Sequence, residues 1–286
     1  MNRNVTTSKN VLVLGSAGQI GSALTRFLKQ QGFNVLEFDI ASNPAEDLRV
    51  WPNKLLEDLI QDSNYVFFLA FDVGGSHYLE KYQDTFEFTN NNLRIMSNTF
   101  TLLNKYKIPF LFASSQMASM SYSNYGILKQ IGERMTSALG GRVVHFWNVY
   151  GYESDTTKYH VISDFVAGAL RDNVIKMRTT GEESRDFLYV DDCCEALKVV
   201  MENHESFSRE MKIHITTGKF SRIREVSEII ANELGATILF GDKTDSVQRD
   251  AKNIPDLAFH QYWRPKTTLK EGIQAIIRDM KNERNQ

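Results

Sequence analysis

Tyr125 and Lys129 stand four residues apart in Tyr125-Gly-Ile-Leu-Lys129, and Ser115 lies ten residues before the tyrosine. Positions i and i+4 of a helix share a face, so the phenol and the ammonium point the same way. A free phenol titrates near pH ~10, too high for a base at neutral pH. A neighbouring ammonium favours the phenolate, and Lys129 is expected to lower the pKa of Tyr125. A tyrosine so tuned takes the proton of an alcohol while hydride leaves the same carbon. By itself the pair describes many exposed helix faces. A glycine turn, Gly15-Ser-Ala-Gly18-Gln-Ile-Gly21, and the upstream serine turn it into a redox constellation.

These residues need elements to hold them. Val11–Leu14 reads as a buried strand that ends in the glycine turn, and Ile20–Gln30 as the helix after it. Further strands are expected at Asn34–Phe38, Val66–Ala70, Pro109–Ala113 and Val143–Trp147, with helices at Thr89–Tyr106 and Asn124–Leu139. Alternating strands and helices predict an α/β fold, a Rossmann-type doubly wound parallel sheet. After Asn148 the pattern loosens. Val161–Arg171, Cys193–Asn203, Ser221–Leu234 and Leu269–Lys281 read as helices, Lys212–Thr216 and Thr237–Phe240 as strands, and Asn282–Gln286 as a fraying tail. The expected division is a dinucleotide-binding domain over 1–150 and a smaller C-terminal lobe over 151–286, with some of its segments returning to the sheet. The lobe is expected over the C-terminal strand ends, where open α/β sheets bind ligands.

Between a strand and a helix, Gly15, Gly18 and Gly21 allow a tight turn and close approach to a pyrophosphate, which the helix N-terminus attracts. Asp39 ends the second strand, eighteen residues after Gly21. A carboxylate there accepts from the adenosine ribose hydroxyls and repels a 2′-phosphate, which favours NAD over NADP.

The 286 residues are 42% hydrophobic and 24% charged, with a formal net charge of −2. That balance fits a globular chain and gives no electrostatic footprint for nucleic acid. No apolar run approaches the length of a membrane span, and the N-terminal residues hold no apolar signal core. Cys193 and Cys194 are adjacent, read as reduced helix thiols, and suit a cytoplasmic location. The six histidines show no metal-ligand spacing, so no metal is expected. His77 and His160 read as loop histidines, and Asp191-Asp192 as caps of the helix that follows.

The ordered set of motifs resembles the extended short-chain dehydrogenase/reductases, within the NAD-dependent sugar-nucleotide epimerase/dehydratase family. The resemblance runs through the glycine turn, Asp47-Leu48, Leu69-Ala70, Asn91, Ser114-Ser115, Tyr125 and Lys129, Asn148-Val-Tyr-Gly151, Arg185-Asp-Phe-Leu-Tyr-Val-Asp-Asp192 and Trp263-Arg-Pro265. It implies Tyr125 as acid/base, Lys129 as the ribose-holding, tuning cation and Ser115 as hydrogen-bond partner of the reacting sugar hydroxyl. Ser114 competes for that last role, and alignment with the family's Ser-Ser stretch favours Ser115. It implies NAD along Gly15, Gly18, Gln19, Ile20, Gly21, Asp39, Asp47, Leu48, Leu69, Ala70 and Asn91, with Tyr125 and Lys129 at the nicotinamide end. A nucleotide-sugar substrate would meet Gly74, Gly75, Ser115, Gln116, Asn148 and Arg185. Arg249 resembles a second diphosphate arginine and equally suits an exposed surface position. A homodimer through the helices at Thr89–Tyr106 and Asn124–Leu139 is also implied, although those faces equally suit burial within one subunit.

Departures from the family pattern narrow the chemistry. Gln116 and Met117 stand where the 4,6-dehydratases carry Asp-Glu, and Met117 where the 3,5-epimerases carry cysteine. Neither side chain exchanges a proton at neutral pH, which argues against dehydration and against C3/C5 epimerisation. Redox at one carbon remains, with C4 favoured: a 4-epimerase, a 4-dehydrogenase or a keto-sugar reductase. A non-catalytic cofactor-binding sensor or scaffold is the competing class. Val73 replaces the cofactor-contacting lysine of UDP-galactose 4-epimerases. The Phe71-Asp-Val-Gly-Gly-Ser76 run is similar to that of GDP-mannose 3,5-epimerases and GDP-fucose synthases, which points to a GDP-sugar. Its glycine pair admits either a bulky sugar or an ordinary turn.

Overall fold

Val11 and Val13 belong to one hydrophobic cluster and Leu12 and Leu14 to another, so a single strand serves both faces of a sheet. A computed structural model describes residues 9–245 and 253–284 of the chain. The strands are β1 (Asn10–Leu14), β2 (Asn34–Phe38), β3 (Tyr65–Phe68), β4 (Phe110–Ser115), β5 (Arg142–Phe146), β6 (Asn148–Tyr150), β7 (Val174–Lys176), β8 (Ser184–Tyr189), β9 (Ile213–Ile215), β10 (Phe220–Arg222) and β11 (Thr237–Leu239). The helices are α1 (Gln19–Gln30), α2 (Lys54–Asp62), α3 (Ser76–Tyr82), α4 (Phe86–Tyr106), α5 (Asn124–Leu139), α6 (Val161–Asp172), α7 (Val190–Glu202), α8 (Ile223–Leu234) and α9 (Leu269–Arg284).

A six-stranded parallel sheet runs in the order β2-β1-β3-β4-β5-β9, a Rossmann fold. The buried faces of α1 and α7 cover one side through Leu24, Leu28, Leu197 and Val200. On the other side α2, α4 and α5 contribute Leu56, Ile60, Phe100 and Leu128. The chain leaves β1 for β2 on one side and later returns to β3 on the other. That reversal opens a crevice at the C-terminal strand ends.

A third cluster, built from Ile162, Phe165, Phe187, Ile223, Val226 and Ile273 among others, gives the later part of the chain its own core. Two small sheets belong to this region, β10-β8-β6 and β11-β7. No helix among the described residues is long and apolar enough to cross a membrane.

Several boundaries differ from expectation. β3 stops at Phe68, so Leu69 and Ala70 lie past the strand rather than in it. β4 runs on through Ser115 because that residue still pairs with Phe146. Thr85 starts α4 three residues early, its hydroxyl accepting from Phe88 N at 3.2 Å. The stretch expected to be helical from Ser221 begins as a strand, since β10 pairs antiparallel with β8 before α8 starts. α9 continues to Arg284, beyond the expected start of a frayed tail. Asp191 and Asp192 do not cap α7: Tyr189 holds that position and both acids lie in the first turn. The Asp192 carboxylate instead accepts from the backbone N–H groups of Lys266 (3.2 Å) and Thr267 (2.8 Å), pinning the segment ahead of α9.

Candidate active site

A cavity of about 1180 Å³ lies at the C-terminal strand ends, between the large sheet and the later part of the chain. It is lined by Gly15, Gly18 and Gly21 of the glycine turn, by Arg185, and by Ser115, Tyr125 and Lys129.

At the turn, Gly15 has φ +86°, and a Cβ there would lie 2.8 Å from the backbone of Ala70. A Cβ on Gly21 would lie 1.9 Å from the carbonyl oxygen of Gly15. These two glycines let β1, the end of β3 and α1 meet. Gly18 is the N-cap of α1 and no side chain caps the helix, so its first-turn N–H groups face an open cradle suited to a pyrophosphate. The Gln19 amide links α1 to the Val149–Gly151 segment, and Ile20 lines the cavity beside it.

The Asp39 carboxylate is anchored at the end of β2 by Ala17 N (3.0 Å) and Ala41 N (2.8 Å). Glu46, which sequence reasoning passed over, accepts from Asp39 N at 2.7 Å and adds a second carboxylate to this wall. Asp47 is engaged by Arg49, which donates to it from its backbone and guanidinium; that bonding holds Asp47 below the usual carboxylate range against burial. Leu48 is buried beside it. These groups fit an adenosine: acceptors for ribose hydroxyls and an apolar floor.

The centre of the site is a grip of α5 on β4. Ser123 caps α5 by accepting from Gly126 N at 3.2 Å. Gly126 and Gly132 leave no room for a Cβ, which would sit 2.2 Å from Met117 O and 2.4 Å from the Phe112 ring. So closely packed, three turns of the helix engage three consecutive strand residues. Lys129 Nζ donates to Ala113 O at 2.6 Å, Ser114 Oγ donates to Glu133, and Ser115 lies on the Tyr125 side, where it favours the phenolate. The two serines are thereby separated: Ser114 faces Glu133 and Ser115 faces Tyr125. Glu133 also meets His145 Nε2 at 2.7 Å. Its place four residues after Lys129 was a signal open to sequence reading.

The electrostatics differ from expectation. Burial pushes the Tyr125 phenol up to about 12, the Ser115 hydrogen bond opposing it. Burial brings Lys129 down to about 7, the Glu133 charge opposing it. Lys129 therefore does not lower Tyr125 here: its ammonium faces the carbonyl of Ala113 and the ring of Phe71, with Nζ 3.7 Å from the ring centroid. At neutral pH the phenol is held as a proton donor. Its turn as a base needs added positive charge in the cavity.

Asn91 and its neighbour organise the wall opposite. Asn91 Nδ2 donates to the Asp72 carboxylate at 2.9 Å. The buried Asn92, not singled out from sequence, accepts from Asp72 N at 2.8 Å and donates to Asp72 O at 3.2 Å, fixing the loop that carries Phe71. Leu69 and Ala70 line the cavity ahead of that loop. Gly74 and Gly75 also line it, but the space of their missing side chains is taken by Tyr78 and by the Tyr159–His160 backbone. They close a packing contact rather than clear room for a sugar.

Asn148 donates to Asp186 O at 3.3 Å and lines the cavity. Arg185 is buried on β8 and pairs with Asp245, a partner sixty residues away in sequence. Gln116 is not on the cavity wall: its Oε1 accepts from Asn253 Nδ2 at 2.8 Å. Arg249 lies outside the described residues. His160, read as a loop histidine, reaches the cavity and is held by the buried Glu153, whose oxygens meet its Nδ1 (2.6 Å) and its backbone N (3.0 Å).

The model of the NAD dependent epimerase/dehydratase family matches residues 11–215. A protein of Methanocaldococcus jannaschii assigned as a UDP-glucose 4-epimerase is 28% identical, over 95% of this chain and 98% of its own. GDP-L-fucose synthase 1 of Arabidopsis thaliana is 26% identical, over 93% of this chain and 91% of its own. Among solved structures, the UDP-glucose 4-epimerase of Thermotoga maritima with UDP-glucose superposes with a TM-score of 0.80, covering 96% of this chain and 99% of that one. At 22% identity that likeness is one of fold.

Proposed function

Because the chain belongs to the NAD-dependent epimerase/dehydratase family, we propose that it carries out oxidoreduction at C4 of a nucleotide-activated sugar, as a 4-epimerase or a 4-dehydrogenase. NAD, held by the Gly15–Gly21 turn, Asp39 and Lys129, would supply the hydride acceptor and, when oxidised, a positive charge that favours phenolate. Tyr125 exchanges the O4 proton, and Ser115 steadies the same oxygen by a hydrogen bond. Arg185 takes the diphosphate, for which a planar guanidinium is suited. The wall between carries Asn148 and the Glu153–His160 pair. The observation that supports this reading most strongly is the grip of α5 on β4, which turns Ser115, Tyr125 and Lys129 toward one cavity.

In this reading 1–150 form the NAD-binding domain and 151–286 mainly the nucleotide-sugar lobe, in the cytoplasm. Exposed Leu93 on α4, with Ile127 and Ile131 on α5, supports a homodimer through those helices; light scattering tests it.

The reaction is tested by incubating the protein with UDP-, GDP- and dTDP-sugars, with and without NAD+. Absorbance follows NADH, and NMR follows the sugar. An inverted C4 with no net NADH identifies an epimerase; a 4-keto product with NADH identifies a dehydrogenase. Inertness toward the whole panel in a protein that binds NAD overturns the reading.

A further inference from the structure

Tyr125, Lys129 and Glu133 occupy three successive turns on one face of α5. Glu133 is linked outward to two strands, to Ser114 on β4 and to His145 on β5. Its carboxylate, one turn from Lys129 on the same face, opposes the burial that lowers the lysine. We propose that Glu133 is a positioning residue for the reaction: its carboxylate keeps Lys129 in the ammonium form and, by holding Ser114, keeps the neighbouring Ser115 in register with Tyr125. This rests on reading Tyr125 and Lys129 as the acid/base and its tuning cation.

Lys129 is buried, and burial alone would strip its proton. From β4 it meets the carbonyl of Ala113 and from the loop after β3 the ring of Phe71, both neutral. Along α5 it lies one turn from Tyr125, over whose ring its Nζ sits at 5.7 Å, and one turn from Glu133. Glu133 in turn is faced by Ser114, by His145 and, ahead of β9, by the charge of Lys212. His214 on β9 packs on the far side of His145, with ring centroids 4.7 Å apart. Burial works against the Glu133 charge, but the hydrogen bond and charge of His145 and the Ser114 hydroxyl hold its carboxyl below the usual range. The anion is thus kept at neutral pH, one turn behind the cation that needs it.

The test is a pH titration of the Lys129 side chain by NMR in the full chain labelled with 13C-lysine, its signal assigned by its loss in Lys129→Met. Glu133→Gln keeps the shape and an acceptor but removes the charge. The Lys129 midpoint is expected to fall by about one unit, and the alkaline limb of kcat/KM, on whichever sugar the panel identifies, to move with it. Ser114→Ala removes a hydrogen bond and leaves the charge, and its midpoint is expected to stay in place. Glu133→Asp withdraws the carboxylate by one methylene and gives a smaller fall; it carries the test if the glutamine variant does not fold. An unmoved midpoint in a folded Glu133 variant overturns the proposal, and so does an equal fall in Ser114→Ala. The titration needs no substrate, so its failure is distinct from failure of the C4 reading, which the sugar panel decides.

Discussion

The Nζ of Lys129 lies 3.7 Å from the centroid of the Phe71 ring, over its face. A ring face attracts a cation without hydrating it, so the lysine is charged at a cost that burial imposes and the ring only partly offsets. The lysine's pKa is near ~10.4 in an unfolded chain and about 7 in the folded one. Between these values the unfolded chain binds more protons, so stability rises with pH from about 7 to about 10. Above that Tyr125, raised to about 12, acts in the opposite sense. Lys129→Met is therefore expected to stabilise the protein at pH 6 by about 2–4 kcal/mol, with the gap closing toward pH 10. Calorimetric Tm values of both proteins across that range check this, and a gap independent of pH would contradict it.

Tyr125→Phe removes the proton carrier and leaves the ring in its contact with Phe71. Turnover is expected to fall by about 10²–10⁴-fold, while NAD affinity, measured by calorimetry, stays close to that of the parent. A loss of both together would assign Tyr125 to binding instead.

The Glu153–His160 pair gives a pH signature of the same sense as Lys129, stability rising with pH, but in an acidic window. Despite burial, the bonds from His160 hold the Glu153 carboxyl below its usual range. The stability this supplies is present above the unfolded value, near pH ~4.3, and lost as pH falls through the lower folded value. Glu153→Gln is expected to cost about 1–3 kcal/mol at pH 7, with the difference shrinking as the pH is lowered below 4. Urea unfolding at the two pH values decides it.

On the cavity wall Asp245 already occupies a guanidinium nitrogen of Arg185. A diphosphate bound there has to share or displace that carboxylate. Asp245→Asn is expected to tighten binding of UDP and GDP by about 3–10-fold, and Arg185→Ala to weaken it by at least as much. Equal affinities in the parent and Asp245→Asn would place the diphosphate elsewhere.

Gly21→Ala would set a methyl 1.9 Å from the Gly15 carbonyl, a backbone atom with nowhere to go. A loss of about 2–4 kcal/mol in stability and of measurable NAD binding is expected. Gly32→Ala, whose Cβ meets nothing within 4 Å but whose φ is +85°, is the control for backbone strain without a clash.

Much of this was open to reading from the chain alone. The apolar run at β1, the glycine turn and the Tyr125–Lys129 spacing are local patterns, set by the periods of strand and helix and by the steric freedom of glycine. They foretold the parallel sheet and the NAD-dependent family. Strand ends were less legible, since Ser115 belongs to β4 only through its pairing with Phe146. The separate surroundings of the two serines also waited for the fold: Ser114 bonds Glu133, while Ser115 lies on the Tyr125 side.

The sequence by itself determined the kind of scaffold and which residue types stand where redox chemistry would need them, because those signals lie within a turn or two of one another. Only the tertiary structure decided their protonation and partners. Glu133 meets His145 twelve residues on, Asn92 meets Asp72 across twenty, and Arg185 meets Asp245 across sixty. Such contacts depend on how separate elements pack. Burial, which moves Tyr125 and Lys129 away from their solution values, is a property of everything around a side chain rather than of its neighbours in the chain.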